Sequence, residues 1–509
     1  MYIMQRTRII TIIFAGLLIF TGCSESFLDQ VNPNERTTGI FWKTEKDLID
    51  GINAAYRPLR FNGCYSRWYH ILYVSRSDEG YSTSPNADFQ SYSNFKTQNN
   101  SSTEGVFFPW LDTYKGIFWA NQVIDNASQI ENIDEELRLR IIGEAYFLRG
   151  VHLFNLGAIY GRGPLVLTSE AESNSEIVEQ EGFYEQARKD FEEAISRLPK
   201  SYTGNDIGRI TKGGALGMLA KVLAQQKNWD SLKTTCEDIF DLGVYDLVAN
   251  YNDNFTATNE NNIESLFEVQ FAYGTQSGID LGSQRAKFLG IPLDGCAWDD
   301  ATASNIVKID LELERTTDGK VDPRLKTTLA YYDASNPNEK FYGKTWIGGG
   351  LNTNKVYWKK YTNWDTQTLE DYNSGINFRV VRLADIYLLY AEALNELDKT
   401  SEAYTWINKV RTRSGLSNLE NSTVFAGIGN DKEKMRMQIR HERSSELAGE
   451  NWRWCDLERW GCFESPTEIS WLKSRDYEFD NFVIAKSNRF PIPYKEVPLI
   501  DGLEQNPNY

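Results

Sequence analysis

Three stretches of this chain repeat one helix-pair spacing, and that repeat limits the folds open to everything else. Ala187, Phe191, Ala194 and Pro199 follow steps of four, three and five, as in the second helix of a tetratricopeptide unit. Ala220 is followed twelve residues later by Leu232, then by Cys236 and Ile239 at steps of four and three. Ala391 is followed at the same intervals by Ala403, Ile407 and Val410. Small residues at such positions let paired helices approach closely, while larger ones fill the space between pairs. The units are not contiguous, so insertions interrupt the stack, and the Ala145 helix is expected to pair with the Ala187 helix across one of them. The expected fold is mainly α: a tetratricopeptide-like helix-pair scaffold with long irregular loop insertions and a few short strands.

Scaffold helices are expected at about 44–60, 110–243 and 380–460, within one domain spanning 44–509. Thr44, with Asp47 three residues on, has the form of a capping box. The segment Phe61–Val106 is rich in Tyr, Ser, Asn and Gly without a helical period. Its length predicts a functional surface loop. The larger insertion, about 248–378, carries Gly274, Gly278, the run Gly348–Gly350, and Trp298, Trp346, Trp358 and Trp364. Both insertions are expected on the ligand side, with a short strand near Glu264–Phe271.

Arg6 and Arg8 precede Ile9–Gly22, an uncharged and mostly apolar stretch too short to span a bilayer comfortably. Residues 1–22 therefore read as a signal peptide. The stretch ends Phe20-Thr21-Gly22-Cys23, small residues before a cysteine, which looks like a bacterial lipobox. Cys23 is expected to be acylated and residues 23–43 to form the lipid anchor and tether. The net charge of −17 would repel phosphate backbones, so no nucleic-acid partner is expected. The cysteines after Cys23 show no CxxC spacing, and buried thiols are expected rather than a Cys455–Cys462 bridge.

Enzyme signatures fail one by one. His441-Glu442 begins like a zincin helix, but Ser445 stands where the second His ligand belongs. Gly343-Lys344-Thr345 ends like a phosphate loop, but Asn338 replaces its first Gly. With only three His, imidazole chemistry has little room. No catalytic residue, metal or cofactor is expected. Glu446, Glu450, Arg453, Asp456 and Arg459 recur every three or four residues, and their alternating signs predict an ion-pair lattice that locks helices together.

An ordered set of short motifs runs the length of the chain, beginning with Cys23 and Phe27-Leu28-Asp29, Ala120-Asn121, and Gly143–Tyr160 with Phe154-Asn155-Leu156. It continues through Tyr160-Gly161 and Pro164-Leu165, the Arg382–Leu394 helix, and Ile407–Arg413. Further matches are Glu442-Arg443, Glu446-Leu447, Gly449-Glu450, Arg453, Asp456-Leu457, Pro491-Ile492-Pro493 and the Gln505–Tyr509 ending. The ordered set spans residues 23–509 and resembles the SusD/RagB family of nutrient-uptake lipoproteins. The resemblance implies an outward-facing outer-membrane lipoprotein that caps a SusC-like TonB-dependent barrel and delivers ligand to it, usually an oligosaccharide and sometimes a peptide. It transfers no binding residue.

A pyranose packs its C–H face on an aromatic ring and needs hydrogen-bond partners around its rim. Two segments have that composition: Trp68, Asp78, Glu79, Tyr81 and Tyr92 in the first, and Trp298, Asp299, Asp300, Tyr342 and Trp346 in the second. Trp68, Trp298 and Trp346 are the leading ligand-binding candidates. Trp110, Trp119, Trp229 and Trp406 lie on helical spacing and are expected in the core. Alternatives to glycan capture are peptide binding in the same cleft, a lipid-anchored glycosidase with two facing carboxylates, and a purely structural docking array.

Overall fold

The repeat positions become the seams of a helical stack. A computed structural model describes residues 41–98, 103–170, 175–276 and 279–509; the leader, Cys23 and most of the tether lie outside the described residues. The principal helices are α1 (Glu45–Tyr56), α2 (Glu104–Asn126), α3 (Glu135–Ile159), α4 (Gln180–Arg197) and α5 (Lys212–Gln225). They continue with α6 (Trp229–Asp241), α7 (Leu383–Glu396), α8 (Thr400–Arg413) and α9 (Lys432–Leu447). Each packs on the next from α1 to α8, and α9 packs on α7. The stack therefore passes directly from α6 to α7, although the chain leaves it for the whole of 242–382.

Ala145, Ala187, Ala220, Ala391 and Ala403 are fully buried at these seams, and the Ala145 and Ala187 helices are partners as expected. The closest approach is set by glycine. Gly143, Gly150 and Gly157 recur every seven residues on α3 and face α4. A Cβ added to Gly150 would lie 2.7 Å from a ring carbon of Phe191, and one on Gly157 would lie 2.9 Å from Tyr184. The helix starts are equally local: Thr44 and Asp47 close the expected capping box, and Asp134, Thr211, Asn228 and Asp431 cap α3, α5, α6 and α9.

The large insertion is built from short antiparallel ribbons. β1 (Ser265–Val269) pairs with β2 (Phe378–Arg382) and closes the insertion at its base. Thr302–Ala303 pairs with Gly80–Tyr81, which ties the first irregular segment to the second. The first segment is not the surface loop that its composition predicts. Trp68–Ser75 is a helix with every residue buried, Ala87–Ser93 is another, and α2 already begins at Glu104. A helix covered on all sides shows no amphipathic period. Its tyrosine tips find buried partners: the Tyr73 hydroxyl donates to Asn155 Oδ1 at 2.9 Å, and the Tyr69 hydroxyl pairs with Thr113 Oγ1 at 2.7 Å. All five described cysteines, Cys455 and Cys462 included, are free buried thiols.

The lattice foreseen after α9 is present, and larger than expected. Glu446 receives Arg324, Arg382 and Arg413. Arg382 also forks onto Glu450 and bonds Glu264, and Lys360 reaches Glu450 at 2.8 Å. A second chain of alternating charge, Lys221–Asp385–Arg443–Asp456–Arg459–Glu392, has contacts of 2.5–2.8 Å throughout. Nearly all of these side chains are out of contact with water. Burial raises the pKa of Glu446 and Asp456, but the surrounding guanidinium groups outweigh it and hold both well below the usual carboxylate range.

Two expectations follow. Gly150→Val overpacks the α3–α4 seam and should destabilise the protein by about 1–3 kcal/mol in chemical denaturation; an unchanged midpoint would refute the seam. Glu446→Gln leaves buried arginines unpaired and should cost about 3–5 kcal/mol. A carboxylate depressed by folding contributes stability that is present above its unfolded value, about 4.3, and is lost as pH falls toward its folded one. Wild-type stability should therefore drop steeply below about pH 4, and Glu446→Gln should flatten that drop.

Candidate functional site

Trp298 alone among the sequence candidates keeps an open ring: it is 46% exposed. The rest are absorbed into the fold. Trp68 is buried against Phe89, stacked at 5.3 Å, with Arg67 over its ring. Tyr92 is buried and donates to Thr103 Oγ1 at 2.6 Å. Asp78 is fully buried between Arg453, which grips both of its oxygens at 2.7 and 2.8 Å, and Arg475 at 2.5 Å. Glu79 accepts the Gly449 N–H at 3.1 Å, and burial raises its pKa to about 8. Trp346 and Tyr342 are buried in a small separate core with Phe341 and Tyr357. The Tyr342 hydroxyl donates to Glu370 at 2.8 Å, and the Trp346 indole N–H to the Asn352 carbonyl. These aromatics pin their loops to the scaffold and present no face to a ligand. Tyr81 is half-buried beside Asp299.

The mount of Trp298 is rigid. Its N–H donates to the Lys287 carbonyl at 2.8 Å, and the Asp300 N–H to the Phe288 carbonyl at 2.7 Å. Asp299, between them, sits at φ +55°, the left-handed region, and turns the chain immediately after the tryptophan. It is a positioning group: its buried carboxylate accepts the Thr302 hydroxyl at 2.8 Å, and burial pushes its pKa well up. Beneath lies buried Phe288, edge-on to the Trp298 ring at 5.0 Å and covered by the Arg67 guanidinium at 4.0 Å.

Tyr372, 42% exposed, completes the site. Its ring meets Trp298 at 5.4 Å and 81°, so the two form an open right-angled corner. The Tyr372 loop is held by the paired backbones of Ser283 and Ser374 and by Asn373 Nδ2, which donates to the Gly274 carbonyl at 3.0 Å. Polar groups ring the corner. Lys287 Nζ lies 5.5 Å from the Trp298 ring centre, Arg67 pairs with Glu104 at 3.3 Å, and Asp300 lies near Ser84 and Arg67. Two fixed ring faces with a charged and hydroxyl-bearing rim suit an amphiphilic ring such as a pyranose. Residue spacing alone does not single out Tyr372, Lys287 or Arg67. One signal was available for Tyr372: it is an aromatic set among turn residues, Asp371, Asn373 and Ser374. Among the described residues, no group of three His, Cys, Asp or Glu could hold a metal ion.

Residues 242–509 match the family model described as the SusD family, and residues 26–223 match one described as starch-binding associating with outer membrane. A SusD-like protein of Formosa agariphila is 26% identical over 524 residues, covering 96% of this chain and 97% of that one. A SusD superfamily protein of Bacteroides vulgatus has a similar structure, with a TM-score of 0.80 at 26% identity over 92% of this chain and all of its own. A laminarin-binding SusD-like protein matches with a TM-score of 0.74 at 25% identity, again over 92% of this chain and all of its own.

The exposure pattern has a direct optical readout. Of the 14 tryptophans, Trp298 is the one with a largely exposed ring. Trp298→Phe should remove most of the fluorescence that acrylamide quenches at low concentration, and an unchanged quenching curve would refute the open corner.

Proposed function

This chain belongs to the SusD family, and on that premise we propose that it captures oligosaccharides on the corner formed by Trp298 and Tyr372, without cleaving them. Cys23 carries the lipid that tethers the protein to the outer membrane, facing outward, and the bound glycan passes to a SusC-like TonB-dependent transporter. The observation that carries this reading is the corner itself: two open aromatic faces on hydrogen-bonded mounts, inside a fold whose other candidate rings are buried or, for Tyr81, half-buried. The laminarin-binding relative and the family description support the ligand class. No described helix is long and apolar enough to cross a membrane, so the reading rests attachment on the lipid.

Binding without chemistry agrees with the carboxylates nearest the corner. Asp299 is buried and committed to Thr302, and Asp300 is buried as well. Capture alone is useful, because tethering a ligand at a transporter mouth raises its local concentration. Rigid rings also reduce the ordering cost that binding would otherwise incur.

Tryptophan-fluorescence titration of residues 24–509 against laminarin and starch fragments, acidic oligosaccharides and peptide digests tests the proposal, with each incubation assayed for new reducing ends. Saturable binding of one glycan class is expected, with affinity lowered about tenfold or more by Trp298→Ala or Tyr372→Ala, as for central aromatic contacts generally; calorimetry reads the Trp298 variant. New reducing ends would overturn the non-enzymatic reading. Binding of peptides alone would overturn the glycan assignment.

A further inference from the structure

A cavity of about 370 Å³ opens elsewhere on the molecule, between α9, the preceding loop and the helix Pro466–Arg475. That size lies within the roughly 300–1,000 Å³ of small-molecule pockets. One wall is apolar: Phe425, Ile428, Met437 and Trp471. Met437 is 54% exposed and stands at the rim. The rest of the lining is largely cationic, with Lys434, Arg440, Arg453 and Arg475.

The carboxylates at that cationic wall are already engaged. Asp310 is the single carboxylate lining the cavity, and both of its oxygens are engaged, by Arg475 and by the Ser444 hydroxyl. Asp78, behind it, is saturated by Arg453 and Arg475. Among the described residues, three buried donors of the lining have no partner: Nε2 of Gln438, which is 2% exposed, Nη1 of Arg453, which is 4% exposed, and Nε of Arg440. A buried donor left unpaired is costly, so a ligand that supplies acceptors gains what the protein forgoes.

We propose that this cavity binds a small carboxylic acid with an apolar, ring-sized body, as a second ligand site independent of the Trp298 corner. The carboxylate takes the Gln438 and Arg453 donors, and the body lies between Met437, Phe425 and Trp471. A carboxylate is acceptor-only and matches a wall of donors. A neutral sugar lacks the charge that complements this cationic wall, and Asp310 and Asp78 are already engaged by arginine.

Isothermal titration of the purified protein with cinnamate, methyl cinnamate and glucuronate tests this. Cinnamate should bind saturably, and its methyl ester and glucuronate at least tenfold more weakly. Met437→Glu places a negative charge at the exposed rim without touching the core, and it should weaken cinnamate at least tenfold. Gln438→Leu should do the same, and neither should alter glycan binding at the corner. No cinnamate binding, equal binding of acid and ester, equal binding of glucuronate, or indifference to Met437→Glu would each overturn the proposal. Because the two sites share no residue, failure here leaves the glycan reading standing.

Discussion

The pairing of buried charge around Glu446 is the constraint on which the rest of the structure depends. Glu264 at the base of the insertion, Arg324 and Lys360 within it, Arg382 at its end and Arg413 on α8 converge on the last turn of α9 and on Glu450 just beyond it. None of these charges can remain in the interior unless the others arrive, because an isolated buried ion costs far more than any packing contact returns. A well-packed apolar cluster would tolerate small slips between insertion and scaffold. Guanidinium forks on carboxylates do not, since their geometry is directional. The lattice therefore fixes where 130-odd residues of irregular chain sit on a helical stack that offers them few regular contacts.

The candidate site inherits that fixity through a short series of links. Asp78 is gripped by Arg453 and Arg475, and Glu79 accepts the Gly449 N–H, so residues 78–79 are anchored beside the lattice. Gly80–Tyr81 then pairs with Thr302–Ala303, and Thr302 bonds Asp299, the residue that turns the chain after Trp298. A ring on a long insertion is thus held almost as firmly as a core residue while keeping nearly half its surface open. That combination matters for capture, because an aromatic that must be ordered at the moment of binding gives up much of its contact energy in doing so.

The scaffold was legible because its determinants are local. Period, capping residues and the Ala–Ala interval are read within a dozen positions: the Thr44–Asp47 capping box closes, and the Ala145 and Ala187 helices pair. The lattice was legible for a related reason: opposite charges alternating along a helix amid aromatics have few other uses. The ligand face was not. Trp68, Trp298 and Trp346 have similar neighbourhoods in the sequence, and what separates them is distant chain. Trp68 is covered by Phe89 and Arg67, Trp346 packs on Phe341 and Tyr357, and Trp298 meets only Phe288 and Tyr372. Composition can say that a segment holds rings for a surface; it does not say which ring the fold leaves uncovered.

The overall charge of −17 decides less about ligands than its size suggests. At physiological ionic strength the field of a distant carboxylate is largely screened beyond about 8 Å, so the local balance governs what binds. At the corner, Lys287 and Arg67 are set against Asp300 and Glu104, and the sum is close to neutral. That is the environment for an uncharged sugar whose recognition depends on ring faces and hydroxyls. In the cavity under α9, cationic side chains face one engaged carboxylate and donors are left over. The same acidic protein can therefore hold two small patches of different sign preference, because each is set by the few groups within a Debye length.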